Sequence, residues 1–429
     1  MAEGRVEGRT TALVEADRQQ KIIEGLIDGV SVAARKEVPW FHEMMPPAYF
    51  RQVSKGRQDD HLRSIIALSA QEIRTPEVRL RDSSDRGVTF ISDGTSGRSM
   101  NQVVERQLAA LRPEAALRRV LLFKSADSRI GLNIFDTYRP GDTVLERLFG
   151  SKESTTAETL DAESDALEKI REYVARPEST KETAPLGSHG PARAAGGGAL
   201  ELDEFLQRCS SSYVISHAET PWLLHEQMRL YEAVAGGDDM AVLLSGYEGD
   251  ASLGAHNALL TLAIPKKAPR KALHDAISLL NLHSLELQRA QVDTVRDGAS
   301  DVTLLRMVIR PLDGRAGGDW QPEPLIRDAS RLKWVSDASF GLAGGSGGAL
   351  NLQEAEVALA LADLSLALFD HPLLSRQHAR ERLFKPDVQP IAAQLARDFL
   401  ARFDPALGAT MTEAAYAEAL GATLKTIEA

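Results

Sequence analysis

An order of secondary-structure elements that recurs along the chain constrains the fold more than any other feature. Apolar alternation, loops and amphipathic stretches give the order strand, loop, helix, strand, strand, beginning at Val88, at Tyr213 and at Ala258. The second and third occurrences share the apolar segment Ala258–Ile264. The order recurs without residue identity, which is typical of tandem units built on one topology.

The predicted fold class is α+β. In a ferredoxin-like arrangement a split βαβ packs its helices on one face of an antiparallel sheet, and this arrangement fits each unit. A single unit leaves a sheet edge or face uncovered, so we expect the units to pack side by side. Flanking helices are predicted as well, and a helical C-terminal segment contains the apolar helices Leu352–Phe369, Pro390–Phe403 and Thr412–Glu428.

Changes in periodicity and composition divide the chain into five segments. A helical N-terminal segment, 1–75, with a predicted amphipathic helix over 17–36, precedes the first unit, 76–175. Residues 176–199 are rich in Gly, Pro, Ser, Thr and Ala and are predicted to be a flexible linker. Segment 200–312 holds the second unit and a partial third, including a predicted strand over Leu285–Val295. Segment 313–429 is predicted to be helical. The last predicted helix reaches the final residue without a Gly or Asn cap, so we expect a longer parent protein.

Charge and cysteine content exclude several classes of protein. The formal net charge of −11 disfavours nucleic acid and anionic membrane surfaces as partners. The single cysteine, Cys209, can form neither an internal disulfide nor a cysteine-based zinc site.

No apolar run approaches the ~20 residues of a bilayer-spanning helix. The N-terminus lacks the apolar region of a secretory signal. A cytoplasmic location is expected, and a mitochondrial one stays open.

The motifs of catalysis, cofactor binding and metal binding are not found. The run Gly341–Gly348, GLAGGSGG, lacks the third glycine of a dinucleotide-binding motif and is interpreted as a flexible loop. It matches a nucleophile elbow only formally, because the next helix starts at the Asn351–Glu354 cap region. The ten histidines show no metal-ligand spacing, and the pair His274-Asp275 is assigned to a surface helix.

One loop is a candidate for binding a small ligand. Asp93, Gly94, Gly97, Arg98 and Ser99 connect a strand to the start of a helix, whose free N–H groups suit a carboxylate. The two glycines permit close approach of the backbone to a ligand, and Arg98 adds positive charge. The alternative is an ordinary strand-to-helix turn in which Ser99 is the N-cap.

Two segments carry a resemblance to a known family. The run VPWFHEMMPPAYFRQV, Val38–Val53, is followed by a DHLRSI pattern within Asp60–Ile65. Together they resemble a segment near the start of large NAD-dependent glutamate dehydrogenases. Leu383–Pro405 resembles the helical stretch that leads toward the catalytic half of that family. The strands and helices between them resemble ACT-type amino-acid-sensing modules, so the resemblance implies tandem ACT-like units.

Membership of that family implies NAD-dependent oxidation of L-glutamate to 2-oxoglutarate and ammonia. The catalytic lysine, acid–base carboxylate and nucleotide-binding glycines of the family have no counterpart here, so NAD is implied for the parent protein only. The implied role is allosteric regulation and oligomer formation. The implied partners are a catalytic domain in the same parent chain, further copies of the chain and an amino-acid effector. Two alternatives stay open: a stand-alone amino-acid sensor and an assembly scaffold that binds no ligand.

The dense aromatic cluster of Val38–Val53 suggests a structural role for this segment. Trp40, Phe41, Tyr49 and Phe50 stand close together in a chain whose aromatic content is only 5%. We therefore expect this segment to dock the N-terminal helices onto the first unit.

Overall fold

The computed structural model describes fifteen stretches of the chain, and every structural statement below refers to them. They are residues 31–70, 77–81, 87–94, 99–112, 117–137, 157–174, 185–189, 202–209, 221–246, 257–295, 301–312, 322–345, 349–369, 376–404 and 410–428.

These stretches contain nine strands and fourteen helices. The strands are β1 Glu77–Arg81, β2 Gly87–Asp93, β3 Leu117–Lys124, β4 Ile130–Thr137, β5 Pro185–His189, β6 Ala241–Gly246, β7 Ala258–Pro265, β8 Leu285–Val295 and β9 Val302–Pro311. The helices are α1 Ser31–Met44, α2 Pro47–Gln52, α3 Lys55–Ala70, α4 Met100–Ala110, α5 Ala157–Val174, α6 Leu202–Arg208, α7 Pro221–Val234, α8 Pro269–Leu282, α9 Pro322–Ala329, α10 Asp337–Gly345, α11 Leu352–Phe369, α12 Arg376–Leu383, α13 Gln389–Phe403 and α14 Glu413–Glu428.

The chain forms two compact units. The first comprises Met1–His274 and Glu286–Pro322 and contains the sheet apart from Leu285, the first residue of β8. The second comprises Asp275–Leu285 and Glu323–Ala429. The nine strands of the first unit form one sheet in the order β1-β2-β4-β3-β8-β9-β7-β6-β5. The protein is therefore a mixed helix and sheet structure with flanking helices, as the predicted fold class required.

The sheet contains two copies of one topology. In the first copy α4 connects β2 to β3, and β4 lies between these two strands. In the second copy α8 connects β7 to β8, and β9 lies between them. A further strand, β1 or β6, pairs antiparallel with β2 or β7. The sheet thus contains this order of strands and helix twice, and we call the two copies the sheet units. The predicted occurrence that starts at Tyr213 begins outside the described residues.

The two sheet units meet through β3 and β8. These strands pair antiparallel, with Val120 opposite Val292 and Leu121 opposite Gln291. Because this pairing is short, the two halves form one sheet through only the middle of each strand. The predicted side-by-side packing is therefore found, through a sheet edge rather than through a sheet face.

Helices cover both faces of the first half of the sheet, α4 on one face and α3 on the other. Thr89 of β2 contacts His61 of α3 at 2.9 Å. Asn133 of β4 donates to Gln107 of α4 at 2.7 Å. Since Thr89 is opposite Ile134 and Phe90 is opposite Asn133, the two contacts lie on opposite faces. The second layer comes from α3, which belongs to the N-terminal segment 1–75 and not to the unit 76–175. The apolar run of β4, buried at both faces, reflects this.

The N-terminal aromatic segment docks on the first unit, as predicted. Phe41 and Tyr49 are fully buried in one apolar cluster with Leu62 of α3 and with Phe123 and Leu132 of the sheet. The segment is helical over most of its length, because α1 continues through Pro39 to Met44. The sequence had predicted a helix over 17–36 instead. Of that range, 17–30 lies outside the described residues.

Two segments predicted to be irregular form regular structure. Residues 185–189, inside the predicted linker 176–199, form the edge strand β5 and pair with β6. An edge strand pairs through its main chain, so its amino-acid composition gives little indication that it is a strand. The predicted loop Gly341–Gly348 was wrong for 341–345, which belong to α10. Burial of Phe340, Leu342 and Ala343 stabilises that helix despite its glycines.

The second unit is helical in its Glu323–Ala429 part. Helix α11 contacts α10, α12 and α13, and α13 contacts α14. The start of α11 is a capping box: the Glu354 N–H donates to Asn351 Oδ1 at 2.9 Å, and the Asn351 N–H donates to Glu354 Oε2 at 3.0 Å. Arg397 of α13 donates to Glu354 at 2.8 Å, which connects α13 to the start of α11.

Candidate functional site at the start of helix α4

The candidate ligand loop begins at the end of β2. Asp93 is the last residue of β2 and lies opposite Ile130. The Gly94 N–H donates to the Arg129 carbonyl at 3.0 Å. A Cβ at position 94 would lie 2.1 Å from the Ser128 carbonyl oxygen. Glycine at 94 is therefore required by the neighbouring β3–β4 hairpin, a reason unconnected with any ligand.

The loop ends at the N-cap of α4. Ser99 has extended backbone angles, and its hydroxyl accepts from the Gln102 N–H at 3.3 Å. This is the N-cap geometry that the sequence offered as the alternative to a ligand site. Gly97 and Arg98 lie outside the described residues, so their part in the predicted site stays a prediction.

A carboxylate of the protein itself lies at the start of α4. The Met100 N–H is 3.4 Å from Glu286 Oε1, a long hydrogen bond. Arg310 of β9 donates to Glu286 Oε2 from Nε at 3.1 Å and from Nη2 at 2.7 Å. The partly positive end of α4 and the guanidinium of Arg310 both favour the negative charge of Glu286. A ligand carboxylate at this helix end would have to compete with Glu286.

Both ends of α4 are bonded to the second sheet unit. The buried amide oxygen of Asn101 accepts from the Leu287 N–H at 2.9 Å. At the other end, Arg270 donates to the Leu108 carbonyl at 2.8 Å and to the Arg112 carbonyl at 3.0 Å. Arginine at a helix C-terminus satisfies free carbonyls and complements the helix dipole. Helix α4 thus joins the two sheet units in addition to the β3–β8 pairing.

These contacts define the candidate site, which we call the α4 junction: Ser99, Met100, Asn101, Glu286 and Arg310. Sequence reasoning identified Ser99 and missed the other four. Glu286 and Asn101 pair with partners 186 residues away, so no local pattern could have revealed them. The junction offers a carboxylate, a guanidinium and a helix end that already satisfy one another. This arrangement suits mechanical coupling between units better than acid–base chemistry.

One assignment away from the junction was wrong. Asp275 was assigned to a surface helix, yet it is fully buried on α8. Helix α8 buries Leu273, Ala276 and Ile277 as well as Asp275, so its apolar surface extends over more than one face.

Comparison with known proteins adds no family assignment. No protein-family model matches the chain, and no curated protein matches it either. In the part of the chain that the structure describes, no helix combines the length and the apolar character needed to cross a membrane.

Proposed function

We propose that this chain is the regulatory and oligomer-forming N-terminal region of an NAD-dependent glutamate dehydrogenase. In this proposal the parent protein converts L-glutamate and NAD to 2-oxoglutarate, ammonia and NADH, and the residues of this chain take no part in the chemistry. The two sheet units are ACT-like, and they transmit an amino-acid signal to a catalytic domain in the same parent chain. The resemblance of Val38–Val53 and Leu383–Pro405 to that family supports the proposal.

The observation that carries the proposal is the joining of two like units into one sheet. The β3–β8 pairing is short. Two further hydrogen bonds reinforce it: Asn101 of the α4 junction accepts one from Leu287, and Arg270 donates one to Leu108. An interface with a small number of contacts can take two arrangements that differ by a few kcal/mol. A ligand shifts such an equilibrium if it binds one arrangement more tightly than the other. The junction therefore suits regulation.

The first experiment compares this chain with the product of the complete gene. NADH formation from L-glutamate and NAD is followed by absorbance at saturating substrate. We expect activity in the complete gene product and none in residues 1–429 alone. Absence of NAD-dependent glutamate oxidation in the complete, folded gene product would reject the proposal.

A second experiment tests the regulatory role of the junction. Asn101→Ala in the complete protein removes the bond to Leu287, and the matched control Asn351→Ala removes a helix cap in the second unit. We expect Asn101→Ala to change oligomer size or the response to added amino acids while retaining kcat without effector. The control should change neither. Equal behaviour of the two variants would remove the junction from the regulatory mechanism.

An assembly scaffold is the second candidate, and Glu286 favours it. Its carboxylate already lies at the start of α4, where the predicted effector carboxylate would bind. Calorimetric titration of the chain with a panel of amino acids separates the two roles. A sensor should release or absorb heat on binding an amino acid, and Gly97→Val should abolish that heat. A scaffold should give no heat of binding with any amino acid.

A further inference from the structure

A groove between α13 and α14 is a cavity of about 380 Å³ in the second unit. This volume is within the range of small-molecule sites. Its apolar lining comes from Pro390 and Ile391 of α13 and from Ala419 and Ala422 of α14. The rest of the lining is polar: Gln394, Asp398, Thr423 and Thr426.

The carboxylate of Asp398 is the group that determines which kind of ligand this groove can bind. Asp398 is only 6% exposed. Its Oδ1 accepts from Gln394 Nε2 at 2.8 Å. Its Oδ2 is buried and has no hydrogen-bond partner among the described residues. A buried carboxylate oxygen without a hydrogen-bond donor is unfavourable, so a donor supplied by a ligand would stabilise Asp398.

The neighbouring polar groups are acceptors as well. Gln394 uses its amide nitrogen on Asp398, which leaves its amide oxygen to accept. The Thr423 hydroxyl donates to the Ala419 carbonyl at 3.1 Å, which leaves its lone pairs to accept. Among the described residues that line the groove there is no lysine or arginine. The groove therefore offers three kinds of acceptor and no positive charge.

We propose that this groove binds a small primary alkylamine in its ammonium form. The ammonium group has three N–H donors, and the lining offers acceptors for them on Asp398, Gln394 and Thr423. The negative charge of Asp398 balances the positive charge of the ligand. The alkyl chain packs on Ile391, Ala419 and Ala422. A zwitterionic amino acid fits poorly, because its carboxylate would find no cation in the lining.

The test uses the full chain with n-butylammonium as the probe and 1-butanol as its neutral analogue. Binding is measured by calorimetry and by NMR of threonine methyl groups, with Thr423 as the reporter. We expect saturable binding of n-butylammonium, a shift of the Thr423 methyl resonance and no comparable effect of 1-butanol. Equal binding of the two probes, or no shift with n-butylammonium, overturns the proposal.

Variants locate the binding. Asp398→Asn keeps the shape and removes the charge, and it should weaken binding by about tenfold or more, the range for loss of a charge-assisted hydrogen bond. Ala422→Leu fills the groove from the exposed side of α14 and should abolish binding without touching Asp398. The exposed Asp387 supplies the control, since Asp387→Asn removes the same charge outside the groove and should bind normally. Unchanged affinity in both Asp398→Asn and Ala422→Leu contradicts the proposed site.

Discussion

The hydroxyl of Tyr49 lies 2.8 Å from Nδ1 of His61, and both side chains are buried between α3 and the sheet. Nε2 of the same imidazole lies 2.9 Å from the Thr89 hydroxyl. Burial raises the pKa of Tyr49 well above its usual value, so the phenol keeps its proton. A polar chain thus runs from the N-terminal aromatic segment through α3 to β2, inside an otherwise apolar cluster.

Loss of the Tyr49 hydroxyl should destabilise the first unit. Tyr49→Phe keeps the buried ring and removes the hydrogen bond, so we expect a loss of about 1–2 kcal/mol in the free energy of unfolding. Urea denaturation followed by circular dichroism measures it. Tyr416→Phe is the control, because the Tyr416 hydroxyl has no hydrogen-bond partner in the described part of the chain. An equal effect of the two substitutions would assign no stabilising role to the polar chain.

Glycine at position 94 should be necessary for the β3–β4 hairpin. In Gly94→Ala the new methyl group would meet the Ser128 carbonyl oxygen, and the backbone must shift. We expect a loss of about 1–3 kcal/mol, typical of overpacking. Gly56→Ala is the matched control on α3, where nothing lies within 4 Å of the new Cβ. That variant should be neutral or more stable by about 0.5–1 kcal/mol. If both variants lose stability equally, the close approach at Gly94 is not the cause.

Asp127 should contribute to stability at neutral pH and lose that contribution in acid. Its Oδ2 accepts from Trp40 Nε1 at 2.7 Å, and its Oδ1 accepts from Ser125 Oγ at 2.7 Å. Burial raises the pKa of Asp127, but these hydrogen bonds and the charge of Arg129 outweigh burial and leave the pKa below its usual value. A lowered folded-state pKa gives stability above the unfolded-state pKa of about 3.9, lost as pH falls through the folded value.

Asp127→Asn should therefore lower stability at pH 7 and flatten its pH dependence below about pH 4. Urea midpoints measured between pH 2.5 and 7, with tryptophan fluorescence as the signal, test this. Asp60→Asn, which removes an exposed carboxylate on α3 far from Trp40 and Ser125 in the sequence, is the control. An acid profile of Asp127→Asn that matches the unmodified chain would exclude this carboxylate as a contributor.

Ionised Glu356 should destabilise the second compact unit at neutral pH, the opposite of the effect expected for Asp127. Burial raises its pKa, and Asp328 adds to the rise while Arg331 opposes it. With a folded-state pKa above the unfolded one, stability is highest below the unfolded value and falls as pH rises through the folded value. Glu356→Gln should thus raise stability at pH 7 and leave it unchanged at about pH 3. Thermal unfolding at both pH values measures this, and a destabilised variant at pH 7 would show that ionised Glu356 is favourable.

Local patterns predicted the regular elements of this fold well. The bounds of β8, Leu285–Val295, and of α11, Leu352–Phe369, coincide with those predicted from periodicity. The extension of α1 past Pro39 to Met44 was not predicted, because proline inside a helix normally breaks it. The glycines of α10 predicted a loop, whereas this segment forms a helix in which Phe340 and Leu342 are buried. In both cases packing outweighed local preference.

The candidate site was less accessible to sequence reasoning. Ser99 was recognised as a cap because capping depends on neighbours three residues away. Glu286 and Asn101 act across the fold, and their partners are set by how two sheet units meet. No local spacing contains that information, so only one residue of the α4 junction was found in advance.

The antiparallel pairing of β3 with β8 joins equivalent strands of the two units. Two separate copies of one unit, related by a twofold axis, would pair in the same way, each through its own β3. Placing both copies in one chain makes that pairing independent of protein concentration. The two halves differ in what surrounds them: the first packs against the aromatic helices α1–α3, and the second carries the edge strand β5. The sheet is in effect a dimer of two unlike halves that dilution cannot separate.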